Sequence, residues 1–423
     1  VLQALLDRTI RPFLTQGTLS ITWPGGGRTT YGTGDAPYAA VALTRGEAVR
    51  RMLTDPALAV GELYMDGGIV PLGCSIYEVM DVLGANLLAG AARVPGIKLA
   101  LLVGRLRRGI DQYNPLQRAR RNVAHHYDLD GRLYSQFLDA DLNYSCGYFP
   151  TGGESLEQAQ AAKHVHIAAK LLLDRPDLEV LDIGCGWGGM ALMLARTFGC
   201  RVTGITLSAE QLAVARGRAE AAGLAGGVRF ELMDYREVRG VFDRVVSVGM
   251  FEHVGVRHYG EYFATVKRAL APDGVALLHT IGRADGPLST NRWMAKYIFP
   301  GGYSPALSEI VPAVERSGLI LTDVEVLRLH YAQTLRAWRE RFAARREAIA
   351  ELYDERFCRM FEFYLAVSEI AFRRLRHVNF QVQLTRSLTA TPITRGYMRD
   401  AAVARMDAWG AAARRASELE LGD

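Results

Sequence analysis

The stretch Val180–Met190, VLDIGCGWGGM, constrains this chain more than any other. Glu179–Ile183 is a short apolar strand with Asp182 near its end, glycines at 184, 186, 188 and 189 break it, and Met190–Ala195 resumes with helical spacing. A strand, a tight turn and a helix make a nucleotide-type cofactor site. Glycines let the backbone turn sharply and approach a ligand, and the helix N-terminus offers unpaired N–H groups. Gly184, Gly186 and Gly189 also satisfy the dinucleotide pattern, so the glycines alone leave nicotinamide and adenosylmethionine enzymes both open. The second strand separates them. A nicotinamide-binding fold usually ends that strand in Asp or Glu to hold the ribose, whereas Arg201–Ser208, RVTGITLS, ends in hydroxyls with Gln211 just beyond.

Five apolar runs alternate with helical segments: VLDIG, RVTGI, VRFELMD, FDRVVSVGM and GVALLHTIG. The alternation predicts an α/β fold with a doubly wound, mostly parallel sheet, in which ligands sit at the carboxyl ends of the strands. Gly184, Thr206, Asp234, Gly249, Glu252 and His279 fall at or just after those ends and should converge on one crevice. A helix over 161–173 precedes the first strand. Nearer the N-terminus, Thr18–Trp23 and Thr29–Tyr31 flank the turn cluster Pro24–Gly27 as a β-hairpin. Helices follow over Arg45–Leu53 and Leu58–Met65, around a capping-type Thr54-Asp55-Pro56. Residues 1–85 therefore form a small α+β domain without a catalytic constellation. A basic linker at 86–125, a catalytic domain at 126–390 and a helical tail at 391–423 complete the expected division.

A chain of 423 residues with 49% hydrophobic content can bury a full core in two or three domains. The net charge of +5, from 50 basic against 45 acidic residues, is a mild bias that argues against dedicated nucleic-acid binding. Only five lysines appear, at 98, 163, 170, 267 and 296, so most of the positive charge is arginine. Between Leu99 and Arg121 arginines alternate with apolar residues; such a segment suits either anionic lipid headgroups or a solvated linker. The five cysteines, at 74, 146, 185, 200 and 358, are scattered without a CxxC pair, which predicts no metal site and a reducing compartment. No segment reaches the ~18 uninterrupted apolar residues of a membrane span, and no secretory leader pattern opens the chain, so a soluble or peripheral protein is expected.

Seven ordered segments, YSCGYF (144–149), LDIGCGWGG, GITLS, MDYR, MFEHVG, LLHTIG and HYAQTLRAW, closely resemble the cyclopropane-fatty-acyl-phospholipid synthase family, whose relatives include the mycolic acid cyclopropane synthases. The resemblance is strong from Asn114 to Thr385 and looser before it; YMDGGIVPLG at 64–73 departs from the family's aromatic ending. It implies a class I adenosylmethionine-dependent methyltransferase sheet. It further implies transfer of a methylene group from S-adenosylmethionine to the cis double bond of acyl chains in membrane phospholipids. An alkene is a poor nucleophile, and its attack on a sulfonium methyl leaves a carbocation that must be shielded from water and deprotonated.

In the family a bicarbonate ion is the base, and the matching positions are Cys146, Glu252, His279, Ile281 and Tyr331. His279 and the Tyr331 hydroxyl can donate to the anion, Cys146 and Ile281 can offer a thiol or backbone contact, and Glu252 can bond a protonated oxygen or orient His279. Cofactor positions carried over by the resemblance are Tyr144, Ser145, Asp182, Gly184, Gly186, Gly188, Thr206, Leu207, Gln211, Asp234, Tyr235 and Arg236, with Ser247 and Gly249 lining the same crevice. Met294–Val314 and Leu335–Leu375 become walls around an acyl chain. A homodimer and a cytoplasmic location, peripheral at the inner membrane surface, complete the expectation.

Plainer readings stand beside these. Cys146 alone would be an inert buried thiol, Cys185 and Cys200 read as packing, and Glu252 with His253 could cap a helix. His125, His126, His253 and His258 lack metal-ligand spacing and read as structural. Phe357, Phe361, Tyr364 and Phe372 recur at near-helical spacing, which is more often core than lipid groove. Two other functions remain: a C-methyltransferase making branched or methylene chains, and a catalytically silent lipid-binding homologue.

Overall fold

The computed structural model describes residues 1–90, 93 and 131–399. The basic stretch 99–121, His125, His126 and the tail from 400 onward lie outside the described residues. The N-terminal unit comprises α1 (Leu2–Phe13), β1 (Thr18–Thr22), β2 (Arg28–Gly32), β3 (Tyr38–Leu43), α2 (Gly46–Thr54), α3 (Pro56–Met65), β4 (Ile69–Pro71) and α4 (Ile76–Gly90). Its sheet has the order β2-β1-β3-β4, and the expected hairpin is the antiparallel β1–β2 pair. Pro56 occupies the first turn of α3 as expected, but Asp55 makes no side-chain cap; its carboxylate instead engages Arg292. Position 85 falls inside α4, so the first unit runs on to Gly90.

The second unit begins with α5 (Gly131–Phe137) and α6 (Leu156–Lys170). Ser155 starts α6 with a reciprocal capping box to Gln158, five residues earlier than the periodicity places it. The sheet then alternates through β5 (Glu179–Ile183), α7 (Gly189–Phe198), β6 (Arg201–Thr206), α8 (Ala209–Ala221), β7 (Val228–Leu232), β8 (Phe242–Val248), α9 (Tyr259–Ala269) and β9 (Leu270–Arg283). The five expected strands are parallel, with β5 at the centre beside β6 and β8.

Beyond β9 come α10 (Arg292–Tyr297), α11 (Leu307–Ser317), β10 (Ile320–Leu327), α12 (His330–Ala344), α13 (Arg346–Leu352), α14 (Glu355–Arg374) and β11 (His377–Thr385). The sequence reading lacks β10 and β11. They add an antiparallel pair to the β9 edge, so the seven-stranded order is β10-β11-β9-β8-β5-β6-β7.

The N-terminal unit packs on α10 and α14, and its core runs into theirs. Gly61 meets Trp293 and Phe363, where a Cβ would lie 2.5 Å from the indole nitrogen. Around that contact Glu62 accepts from Lys296 at 2.7 Å and Tyr297 at 2.9 Å, while Tyr64 donates to Glu362 at 2.7 Å. Phe361, Tyr364 and Phe372 are buried in the same core, with Phe361 stacked on Phe342, edge-on to Tyr364 and tilted against Phe137, and Phe372 tilted against Tyr331, so these three positions are packing. Among the described residues, no helix is long and apolar enough to cross a membrane and no side-chain cluster could hold a metal.

Candidate active site

A pocket opens over the carboxyl ends of β5, β6, β7 and β8. Its floor is the glycine turn, and each glycine there has its own reason. Gly184 (φ +83°) lies against Met250, where a Cβ would come within 2.7 Å. Gly186 (φ +55°) has nothing within 4 Å of a Cβ position, so a side chain there would project into the pocket. Gly188 (φ +85°) is the N-cap of α7 and backs onto Phe230, where a Cβ would come within 2.7 Å; it shapes the turn from behind and does not line the pocket. Ser247, beside the Tyr262 hydroxyl, is likewise outside the lining. All the other expected cofactor residues are in it.

Asp182 is buried with one carboxylate oxygen, Oδ2, that has no partner. Burial pushes its pKa up to about 7 against the pull of Lys163. Thr206 donates to Gln211 at 2.8 Å, and Ser208 caps α8 by accepting from the Gln211 N–H, which fixes the hydroxyl-bearing end of β6. At the end of β7, Asp234 accepts from the Arg236 N–H at 2.9 Å, and the Arg236 guanidinium lies 5.0 Å over the Tyr235 ring. Tyr144 stacks on Trp338 and shares a 2.7 Å hydrogen bond with Tyr364. The open face at Gly186 and the orphaned Asp182 oxygen suit a nucleotide-type cofactor carrying a cationic or hydroxyl-bearing group.

Three lining residues escape sequence reasoning, Asn143, Lys163 and His253, while Trp187, Met190 and Met233 stand inside the motifs already singled out. Lys163 carries a signal, since it is one of few lysines and sits on a helix whose neighbours are mostly apolar. His253, expected to be structural, is in the pocket wall, and burial lowers its pKa to about 4.

The five expected base-holding residues lie outside this lining. Glu252 accepts from the Ile281 N–H at 2.6 Å through Oε1, while Oε2 is buried without a partner in hydrogen-bonding geometry. Burial raises the Glu252 pKa to about 7, against the Ile281 and Glu252 backbone N–H groups and the Thr280 hydroxyl. Ile281 packs against the cluster that also holds Cys146 and Tyr331. The Cys146 thiol bonds the Gly147 carbonyl at 3.2 Å, and burial raises its pKa, so it is neutral.

His279 differs from expectation. Its Nε2 is 2.7 Å from the Asn379 amide and its Nδ1 is 3.1 Å from the Gln381 amide, so neither ring nitrogen is available to an anion in this arrangement. Burial holds its pKa well below the usual value, and a neutral imidazole has one donor and one acceptor. One amide must therefore turn its oxygen to the ring, and Gln381 Oε1, buried without a partner, is the one with cause to do so.

Known proteins match this arrangement. A family model described as mycolic acid cyclopropane synthetase matches residues 114–382. The cyclopropane-fatty-acyl-phospholipid synthase of Escherichia coli is 39% identical over 364 residues, covering 84% of this chain and 90% of that one. A tuberculostearic acid methyltransferase of Mycobacterium tuberculosis is 40% identical over 267 residues, covering 60% of this chain and 62% of its own. The solved structure of mycolic acid cyclopropane synthase CmaA1 complexed with SAH and CTAB superposes with a TM-score of 0.60 at 30% identity, covering 65% of this chain and 99% of that one.

Proposed function

The chain belongs to the mycolic acid cyclopropane synthetase family, and from that premise we propose that it is an S-adenosylmethionine-dependent methyltransferase forming cyclopropane rings at the cis double bonds of phospholipid acyl chains. The observation that carries this function is the two-sided segment 249–254. Gly249, Met250, His253 and Val254 face the cofactor pocket, while Glu252 turns away to the Ile281 N–H. A methyl donor in the pocket would thereby lie on one side of this turn and the Glu252 carboxyl on the other.

Adenosylmethionine supplies an electrophilic methyl on a sulfonium. The alkene π pair forms the new C–C bond as the C–S bond breaks, and loss of a proton from the transferred methyl closes the ring on the resulting acyl cation. The chain's own part is to bind, to exclude water and to hold the base that takes that proton. Tyr144, which lines the pocket, stacks on Trp338 and bonds Tyr364, and gives that pocket an aromatic side that would keep water from a cation. A bound bicarbonate would supply the base. A carboxyl half-protonated near pH 7, with one oxygen on Ile281 and the other without a partner, suits a protonated oxygen of that ion. Tyr331 and Cys146 belong to the core cluster against which Ile281 packs, and His279, clamped by two amides, acts through its neighbours. Because the double bond lies within a phospholipid, the enzyme works at a membrane surface.

A second function uses the same cation: loss of a different proton gives a methylene or methyl-branched chain, and the tuberculostearic acid methyltransferase relative favours it. One experiment separates them. Labelled adenosylmethionine is incubated with the protein and vesicles of dioleoyl phospholipid, and the acyl chains are examined by NMR. Cyclopropane ring protons are expected; vinylidene or methyl-branch signals establish the second function, and no label in lipid overturns both.

A further inference from the structure

The pocket wall contains a cation that has no anion. Lys163 on α6 is 1% exposed and lines the pocket, yet among the described residues it makes no ion pair within 4.0 Å. Its hydrogen bonds go to the Ser145 hydroxyl at 2.9 Å and the Asn143 side-chain oxygen at 3.3 Å. An ammonium has three N–H donors, so one remains.

The acids that act on it are Asp139, Asp182 and Asp141. Two have other work. Asp139 accepts from the Asn143 N–H and side-chain amide and from the Asp141 N–H, and Asp141 is paired with Arg218 at 2.6 Å. The third, Asp182, keeps Oδ2 unpartnered in the same pocket. Burying an unpaired ammonium is costly unless a ligand completes it. The other cation in the wall, Arg236, is already matched by Asp234 and Glu261 and stacked on Tyr235.

A buried cation and a buried carboxyl with an unpartnered oxygen in one pocket complement an α-amino acid zwitterion. Resting on the adenosylmethionine function above, we propose that Lys163 receives the carboxylate of the cofactor's methionyl end, opposite Asp182, and so makes the site selective for a cofactor with an intact amino acid. Ser145 and Asn143 are then positioning residues that hold the Lys163 ammonium towards the pocket. Burial pulls the Lys163 pKa down to about 8, against those acids and Cys146, and a ligand carboxylate would push it back up.

Titration calorimetry on the protein without substrate tests this with two ligands, S-adenosylhomocysteine and its decarboxylated analogue. Wild type should bind S-adenosylhomocysteine roughly 10- to 100-fold more tightly, the range of a charge-assisted hydrogen bond. Lys163→Met should lose about that factor for S-adenosylhomocysteine and change affinity for the analogue less than about threefold. Equal wild-type affinity for both ligands overturns the proposal without any variant, which covers the case in which Lys163→Met fails to fold. Equal weakening of both ligands in a folded Lys163→Met also overturns it, making Lys163 only a counter-ion for Asp182. Wild type that binds neither ligand would instead remove the adenosylmethionine function itself.

Discussion

Glu252→Gln should separate stability from turnover. The folded carboxyl titrates at about 7, whereas an ordinary glutamate titrates at 4.5. Because the folded pKa lies above the unfolded one, the unfolded chain releases this proton first as pH rises. The group's contribution to stability is thus complete below about pH 4.5 and is lost progressively until about pH 7. At about 1.4 kcal/mol per pH unit, that gap corresponds to about 3 kcal/mol. A glutamine keeps a carbonyl for the Ile281 N–H and never ionises. E252Q should therefore match wild type near pH 4.5 and exceed its stability by up to about 3 kcal/mol at pH 8. Turnover should fall about 100-fold or more, the usual loss for a proton-handling group. Urea unfolding followed by tryptophan fluorescence at pH 5, 6, 7 and 8 reads the first effect. Asp182 also titrates near 7, but it is present in both proteins and cancels in the difference. Parallel stability profiles for the two proteins would refute the reasoning, as would retained methylene transfer in E252Q.

Three further outcomes are expected. Gly186→Val forces a branched side chain into a left-handed position that opens on the pocket, so calorimetry should detect no S-adenosylhomocysteine binding; undiminished affinity removes the turn from the site. Tyr331→Phe should cost ~1.5–3 kcal/mol in transition-state stabilisation, with added bicarbonate partly restoring the rate; a wild-type rate without response to bicarbonate would sink the role of Tyr331. Gly61→Ala places a methyl 2.5 Å from the Trp293 indole and 2.7 Å from Phe363, so the contact between the N-terminal unit and α10 and α14 should weaken by ~1–3 kcal/mol, read as a lower Tm.

The parts of this protein that its sequence determines are those set by short-range chemistry. Alternation of apolar strands with helices placed the five parallel strands, because period and turn residues are local properties. The glycine turn could be read for the same reason, since each of Gly184, Gly186 and Gly188 occupies a backbone conformation other residues avoid. The hairpin at β1–β2 and the hydroxyls at the end of β6 follow the same logic.

Tertiary structure decided what polar residues do. Along β11, Asn379, Gln381 and Gln383 alternate with Phe380, Val382 and Leu384, a pattern that in sequence describes a strand with one wet face. Here both faces are buried: Asn379 and Gln381 meet the His279 imidazole, and Gln383 donates to the Lys170 carbonyl of α6. A polar side chain can be satisfied by water or by a distant partner, and no local pattern distinguishes the two. The same holds for Asp55, which suits a helix cap by position but pairs with Arg292 some 237 residues away. It holds most for Lys163, a residue that usually marks a solvated helix face and that only the docking of α6 beside β5 and the YSC loop turns into a buried cation at the cofactor pocket.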